Sequence, residues 1–246
     1  MISDKRVLVV GAHSADWVWR SSGAIAKYTA NGAQVFVVCL TFGARGESSA
    51  LWKTEGQTFE NVKKIRYQEA QDAAAVLGVT NLEMWDFDDC MLEISPEILQ
   101  RLNEKIREVK PSLIITHDTV DTTNRDHGIA HEIVVRASIM AAQPGIPSDG
   151  LKSTKTVPIF GFEASEPERS GFVPDVYLDI TDFYSKKEEA MKCIKTQTEG
   201  PFIHGRLNTH RGWQAARMSG NKNIKYVEVF RVHDPIVVNE LPVHDV

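Results

Sequence analysis

Apolar and polar positions follow two periods along the first half of the chain. Residues 7–10 are four uninterrupted aliphatics, followed by the turn-forming Gly11-Ala12 and then by Val18, Ile25 and Tyr28 at helical spacing as far as Asn31-Gly32. The continuous run predicts a strand buried on both faces, and the helical spacing predicts a helix that stops at the glycine. The pair recurs three times, as strands over Gln34–Thr41, 82–85 and 113–116 and helices over Phe59–Leu77, Pro96–Val109 and 129–142. The second half predicts strands over 157–162, 176–180 and 226–230. It also predicts a helix over 183–195, capped by Thr181-Asp182, whose lysines and glutamates read as a solvated face. Residues 143–155, with Pro144, Gly145, Pro147 and Gly150, read as a loop that could lie, mobile, over the site. Between 200 and 220, His204, Arg206, His210, Arg211 and Trp213 are scattered among small residues without an assigned period. Strands alternating with helices predict a single three-layer αβα domain over 1–246, α/β in class, with a Rossmann-like, mostly parallel sheet. It has no Gly-x-Gly-x-x-Gly loop, so nothing signals a dinucleotide.

Composition narrows the function classes. The 246 residues suffice for a substantial core, and a net charge of −5 speaks against a nucleic-acid surface. Three widely spaced cysteines, Cys39, Cys90 and Cys193, form no CxxC pair and read as reduced core thiols, which sets the expectation of a cytoplasmic protein. The first residues lead straight into a strand and no apolar run approaches a membrane span, so neither a signal peptide nor a membrane partner is expected.

The chemistry-bearing residues collect where parallel strands end, the edge at which open α/β sheets bind ligands. His13 and Asp16 follow the first strand; they read either as half of a metal site or as a loop histidine and a helix cap. After the second strand, Arg45 and Glu47 sit around Gly46, with Gly43 before them, in a loop where glycines permit unusual backbone angles, and Glu47 reads as a base or as a surface partner of Arg45. Asp86 and Asp88 after the third strand read as ligands or as a solvated turn, the turn being the simpler account. After the fourth strand, residues 117–131 hold three histidines and three aspartates. His127, at the loop-to-helix junction beside Asp126, is the best ligand candidate there, and His131 reads as an ordinary helix residue. Arg20, Arg45 and Arg211, with Arg125 and Lys53 behind them, are candidate clamps for an anionic substrate, Arg20 having an intrahelical salt bridge as its alternative. Trp17 and Trp19 read as core, and Arg66 with Glu69 as a structural ion pair.

On these motifs the chain resembles the LmbE/PIG-L superfamily of zinc-dependent proteins: Ala12-His13-Ser14-Ala15-Asp16, Arg66-x-x-Glu69 before Leu77-Gly78, Asp126-His127, and Arg211-Gly212 with Tyr226-Val227-Glu228-Val229-Phe230. The resemblance implies an LmbE-like fold, Zn2+ held by His13, Asp16 and His127, and a homo-oligomer, trimer or hexamer. Two departures stand out. Ala15 takes the place of the deacetylases' general base, and Asn124 that of a histidine common three residues before the last ligand. Longer stretches, such as Ala12-His13-Ser14-Ala15-Asp16-x-Val18-Trp19-Arg20 and Phe42-Gly43-x-Arg45-Gly46-Glu47-Ser48, are similar to a subgroup, the 4-oxalomesaconate hydratases of aromatic-acid degradation. That subgroup can carry a histidine suspected of acid work where this chain has Ser165, which leaves the proton donor unassigned.

The resemblance therefore implies a zinc-dependent hydratase acting on 4-oxalomesaconate or a similar small anionic oxo-carboxylate. Glu47 and Asp126 are the expected catalytic carboxylates, and Arg20, Arg45, Asn124 and Arg211 the expected substrate contacts. A zinc deacetylase of an amino sugar or other amide and a catalytically silent metal-binding protein are the alternatives.

Overall fold

Among the described residues seven strands form one sheet. The computed structural model describes residues 4–240 and Val243. In chain order the elements are β1 (Arg6–Gly11), α1 (Asp16–Ala30), β2 (Gln34–Thr41), a helical turn α2 (Ser49–Trp52), α3 (Phe59–Leu77), β3 (Asn81–Phe87), α4 (Pro96–Val109), β4 (Leu113–His117) and α5 (Arg125–Ala142). They continue with β5 (Ile159–Phe162), a second turn α6 (Pro167–Ser170), β6 (Val176–Asp179), α7 (Tyr184–Lys192), α8 (Gly200–Ser219) and β7 (Val227–Val232). The sheet order is β3-β2-β1-β4-β5-β7-β6; strands β1 to β5 run parallel, whereas β7 pairs antiparallel with both β5 and β6.

The alternating faces of β1 explain the three layers. Val7 and Val9 face α1, α3 and α7 in one apolar cluster, while Leu8 and Val10 face α4 and α5 in another. α8 packs on Val227 and Val229 through Ala215. No helix among the described residues is long and apolar enough to cross a membrane.

Several expectations need correction. The helix that carries His127 begins four residues earlier than its apolar period, at Arg125, because Asn124 caps it by accepting from the Asp126 amide at 3.1 Å. Asp16 does not cap α1; its carboxylate turns back to accept from the His13 amide at 2.7 Å. Thr181 likewise makes no cap but bonds Asp179, and α7 ends at Lys192 rather than at 195. Where no period was assigned, Gly200–Ser219 form the long helix α8, ended by Gly220. The 143–155 segment lies at the opposite end of α5 from the strand-end edge. Asn103 holds the Ser148 hydroxyl there at 2.7 Å, and Arg107 holds the Gln143 and Leu151 carbonyls, so it is no lid.

One lysine of the supposed solvated face is fully buried. Lys187 donates to Glu228 and to the Trp19 carbonyl, both at 2.7 Å, and Glu228 also accepts from the Gly23 and Ala24 amides in the middle of α1. Glu228, on the last strand, thereby fixes the helix whose first residue is Asp16.

Candidate functional site

The sheet changes winding direction between β1 and β4, and the ends of those two strands deliver the buried histidines. Past Gly11 the chain turns so that His13 Nδ1 lies 3.1 Å from Asp16 Oδ2 and 3.5 Å from Glu47 Oε1. The other ring nitrogen, Nε2, lies 3.2 Å from Asp126 Oδ2, which also accepts the Cys90 amide at 2.6 Å. An acid on Nε2 holds a proton on that nitrogen, so it is Nδ1, facing Asp16 and Glu47, that offers a lone pair once its own proton is lost. His127 is arranged in the same way with its nitrogens exchanged. Its Nδ1 donates to Asp121 at 2.9 Å, and Nε2, 3.4 Å from Asp16 Oδ1, is buried without a hydrogen-bond partner among the described residues.

One donor atom each from His13, Asp16, Glu47 and His127 can be chosen so that all lie within 4.8 Å of one another. An orphaned buried nitrogen beside two carboxylates, with each histidine held by an acid on its far side, fits a divalent cation bound by nitrogen and oxygen. The electrostatics agree. Burial opposes charge on His13, but Glu47, Asp16 and the bond to Asp126 outweigh it and hold its pKa well above the ordinary value. Burial also opposes charge on His127, which Asp16 and Asp121 nonetheless hold raised. Asp16 is buried as well, yet His127, His117 and His13 keep its carboxyl far below the usual range. In the protein alone, protons on the imidazoles supply the positive charge that Asp16 and Glu47 demand.

Glu47 reaches this cluster from a loop whose shape depends on both its glycines. Gly43 has φ +64°, and a side chain at Gly46 would meet Cys90 Sγ at 2.8 Å, so the first needs the backbone angle and the second needs the space. Asp89, buried at the end of β3, accepts the Arg45 and Gly46 amides, both at 2.8 Å, and closes the loop. The Glu47 carboxylate then takes amide donors from Asn124 at 3.3 Å and Gln197 at 3.2 Å.

Beyond Glu47 opens a cleft of about 570 Å³ lined by Asp16, Trp19, Arg20, Lys53, Ser165 and His204, with residues 196–200. Arg20 crosses its floor. It donates to the Glu163 carbonyl and, at 2.6 Å, to the Ser165 hydroxyl, and it stands 3.7 Å from Asp121, so its intrahelical alternative falls away.

The other expected contacts fall elsewhere. Arg45 is exposed, paired with Asp88 at 3.0 Å and laid over Phe59, so it does not face the cleft. Arg211 is neutralised by Glu163 and bonded to Gln214, and it does not line the cleft either. Asp126 stands behind His13, and Asn124 behind both Glu47 and the α5 terminus. Asp86 is the exposed penultimate residue of β3, which runs on past Trp85 to Phe87, and is ion-paired with Lys63; Asp88 follows the strand, exposed and paired with Arg45, so neither joins the cluster. Trp17 is core, and Arg66 pairs with Glu69 at 3.2 Å. His131 is a helix residue whose Nδ1 donates to the His117 carbonyl.

Sequence reasoning missed His117, Asp121, Asp89 and Gln197. His117 Nε2 accepts the Ala12 amide at 3.0 Å and touches Asp16, while burial and the neighbouring His127 hold its ring neutral. Asp121 had a signal, an acid six residues before His127 in the same loop. Gln197 had none, since it is brought in from the far end of the chain.

Against known proteins, the PIG-L family, described as GlcNAc-PI de-N-acetylase, matches residues 8–138. A 4-oxalmesaconate hydratase of Pseudomonas putida is 38% identical over 240 residues, which cover 96% of this chain and 92% of the relative. Among solved structures, GalB, the 4-carboxy-2-hydroxymuconate hydratase from Pseudomonas putida, superposes with a TM-score of 0.93 at 37% identity, covering 97% of this chain and all of that one. The N,N'-diacetylchitobiose deacetylase from Pyrococcus horikoshii shares the fold, with a TM-score of 0.75 at 22% identity over 93% of this chain and 83% of its own.

Proposed function

The chain belongs to the PIG-L family, and from that membership and its full-length likeness to hydratases we propose that it adds water to the double bond of 4-oxalomesaconate or a closely similar unsaturated oxo-carboxylate. The observation that carries the reading within the site is the pairing of Ala15 with Glu47. Ala15 is fully buried and bears only a methyl group, whereas Glu47 stands at both the histidine cluster and the cleft. A deacetylase base is missing, and a carboxylate suited to a different geometry is present.

His13, Asp16 and His127 would hold the metal, for which zinc is the expectation from this donor set. Such an ion, when bound, polarises a substrate oxygen as a Lewis acid. The chain's own groups do the rest. Arg20, on the cleft floor, and Lys53, on its rim, offer cations to a tricarboxylate, and the amides of Asn124 and Gln197 orient Glu47. Glu47 takes a proton from the attacking water as its oxygen bonds to one alkene carbon. Asp126 and Asp121 keep the two imidazoles in the orientation that leaves their inward nitrogens free. Exposed Phe202, Trp213 and Met218 along α8 support self-association, and light scattering measures whether it is the expected trimer or hexamer.

The test follows the ultraviolet absorbance of the conjugated oxo-acid with metal-loaded and metal-stripped protein, and with Glu47→Ala and His13→Ala. Metal-dependent loss of absorbance, absent in both variants, is expected. Unchanged absorbance with loaded protein sinks the hydratase reading, and release of acetate from acetylated amino sugars would then favour a deacetylase.

A further inference from the structure

Helix α8 begins at the cleft and presents one imidazole to it. The His204 ring lies flat on the Trp19 indole, with centroids 5.5 Å apart and planes within 7°. The first residue of the helix, Gly200, makes this close approach feasible, because any side chain there would run into the Trp19 ring. Neither nitrogen of His204 has a hydrogen-bond partner among the described residues, although the ring borders the cleft with Asp16, Arg20, Glu47 and Ser165. The ring also borders a small void shared with Arg20, Glu163 and Ala164, which sets it beside the segment that ends in Ser165. Ser165 itself has no proton to release near neutrality, and its oxygen is already engaged by Arg20.

We propose that His204 is the proton donor of this chain, the group that protonates the alkene carbon adjacent to the one that receives the hydroxyl. The assignment rests on the hydratase reading above. The other groups on the cleft wall are unsuited. Asp16 is buried and ionised, Arg20 does not give up its proton, and Lys53 and Glu199 are exposed at the rim.

As the water oxygen bonds to one alkene carbon, Glu47 takes one water proton and the π pair moves to the neighbouring carbon. The His204 imidazolium delivers its proton there, and the proton on Glu47 returns through solvent to the imidazole, so that one water has been added. Facing the ring are Arg20 and Asp16 of α1 and Lys187 of α7, with Glu228 paired to Lys187 and Glu163 paired to Arg211 nearby. In the protein alone burial, Arg20 and Lys187 keep the ring neutral against Asp16. A substrate carrying three carboxylates reverses that field, so the proton enters with the substrate.

The experiment compares metal-loaded wild type with His204→Asn and His204→Gln, measuring kcat, KM and the pH profile of kcat, with metal content and melting curves as controls. The expected result is a loss of about 10²- to 10⁴-fold in kcat with KM nearly unchanged, metal retained, and the wild type's fall in kcat at high pH absent from the residual rate. A kcat within about threefold of wild type in either folded variant would overturn the assignment. So would a loss confined to KM, which would make His204 a carboxylate contact, or a residual rate that keeps the basic limb. An inactive wild type would instead overturn the hydratase reading first, and the proton-donor role with it.

Discussion

Replacing Asp121 with asparagine tests whether the far side of a ligand decides what its near side binds. Asp121 Oδ2 accepts from His127 Nδ1 at 2.9 Å and from the Ser165 amide at 3.2 Å, while Oδ1 accepts the Thr123 amide at 2.9 Å and its hydroxyl at 2.5 Å. Burial opposes this carboxylate's charge, but the His127 and Thr123 bonds keep its pKa far below the ordinary range. An asparagine has one acceptor oxygen and one NH2. Whichever way it turns, the NH2 meets donors, either at Thr123 or at His127 and Ser165. The negative charge that raises the basicity of His127 is also gone. Removing such a partner weakens metal binding by about 10- to 100-fold, or about 1.4 to 2.7 kcal/mol. Competition with a chromogenic zinc chelator at neutral pH measures it directly. A dissociation constant within about twofold of wild type, in a variant with native melting behaviour, would refute the reasoning. Asp121 would then hold only the loop.

The remaining predictions separate the site from the scaffold. Metal should bind more tightly as pH rises. His13 and His127 keep their protons to a higher pH than ordinary histidines, so protons compete with the ion, and calorimetry in buffers of differing ionisation enthalpy should record their release. The same raised values stabilise the metal-free fold fully below about pH 6.5, and that contribution is lost as pH rises through the folded-state values; melting curves of stripped protein should show the decline. Arg20→Ala should lower kcat/KM by about 10- to 100-fold through loss of a buried charged donor, whereas Arg45→Ala should stay within about twofold, its partner Asp88 being half-exposed; steady-state kinetics decides both. Lys187→Met strands Glu228 without its cation and should cost about 3 to 5 kcal/mol in denaturant unfolding.

Elements with chemical punctuation at their ends could be read from the sequence. Phe59–Leu77 and Pro96–Val109 match because Thr58 and Ser95 cap the Asn61 and Ile98 amides, and because Gly78 ends the first helix at positive φ. α8 escaped because its burial does not run through an apolar stripe. Phe202, Ile203, Trp213 and Met218 point outward, and the helix approaches the chain through Gly212, where a side chain would strike the Lys225 carbonyl. In the site, residues near strand ends were legible because topology gathers those ends: His13, Asp16, Glu47 and His127 do come together. The direction of a side chain within its loop was not legible. Arg45 and Glu47 are two residues apart on the same glycine-bounded loop, yet one turns to solvent and the other to the cluster. His204 was visible only as a histidine of unknown reach until the helix that aims it was in view.

The place of β7 in the sheet sets a condition on how the chain can be made. The last of the described strands in sequence is the neighbour of both β5 and β6, and among the described residues β6 pairs with β7 alone. While the chain is emerging from a ribosome, the five parallel strands can associate in order, but the β5 edge stays open and β6 has nothing to pair with until residues 227–232 arrive. An unpaired inner edge invites pairing with another nascent chain. Glu228 arrives in that same segment, so the middle of α1 is locked only when the final strand closes. A nascent chain stalled before Val227 should therefore be sensitive to protease and prone to aggregation, even though every residue of the histidine cluster has already been synthesised.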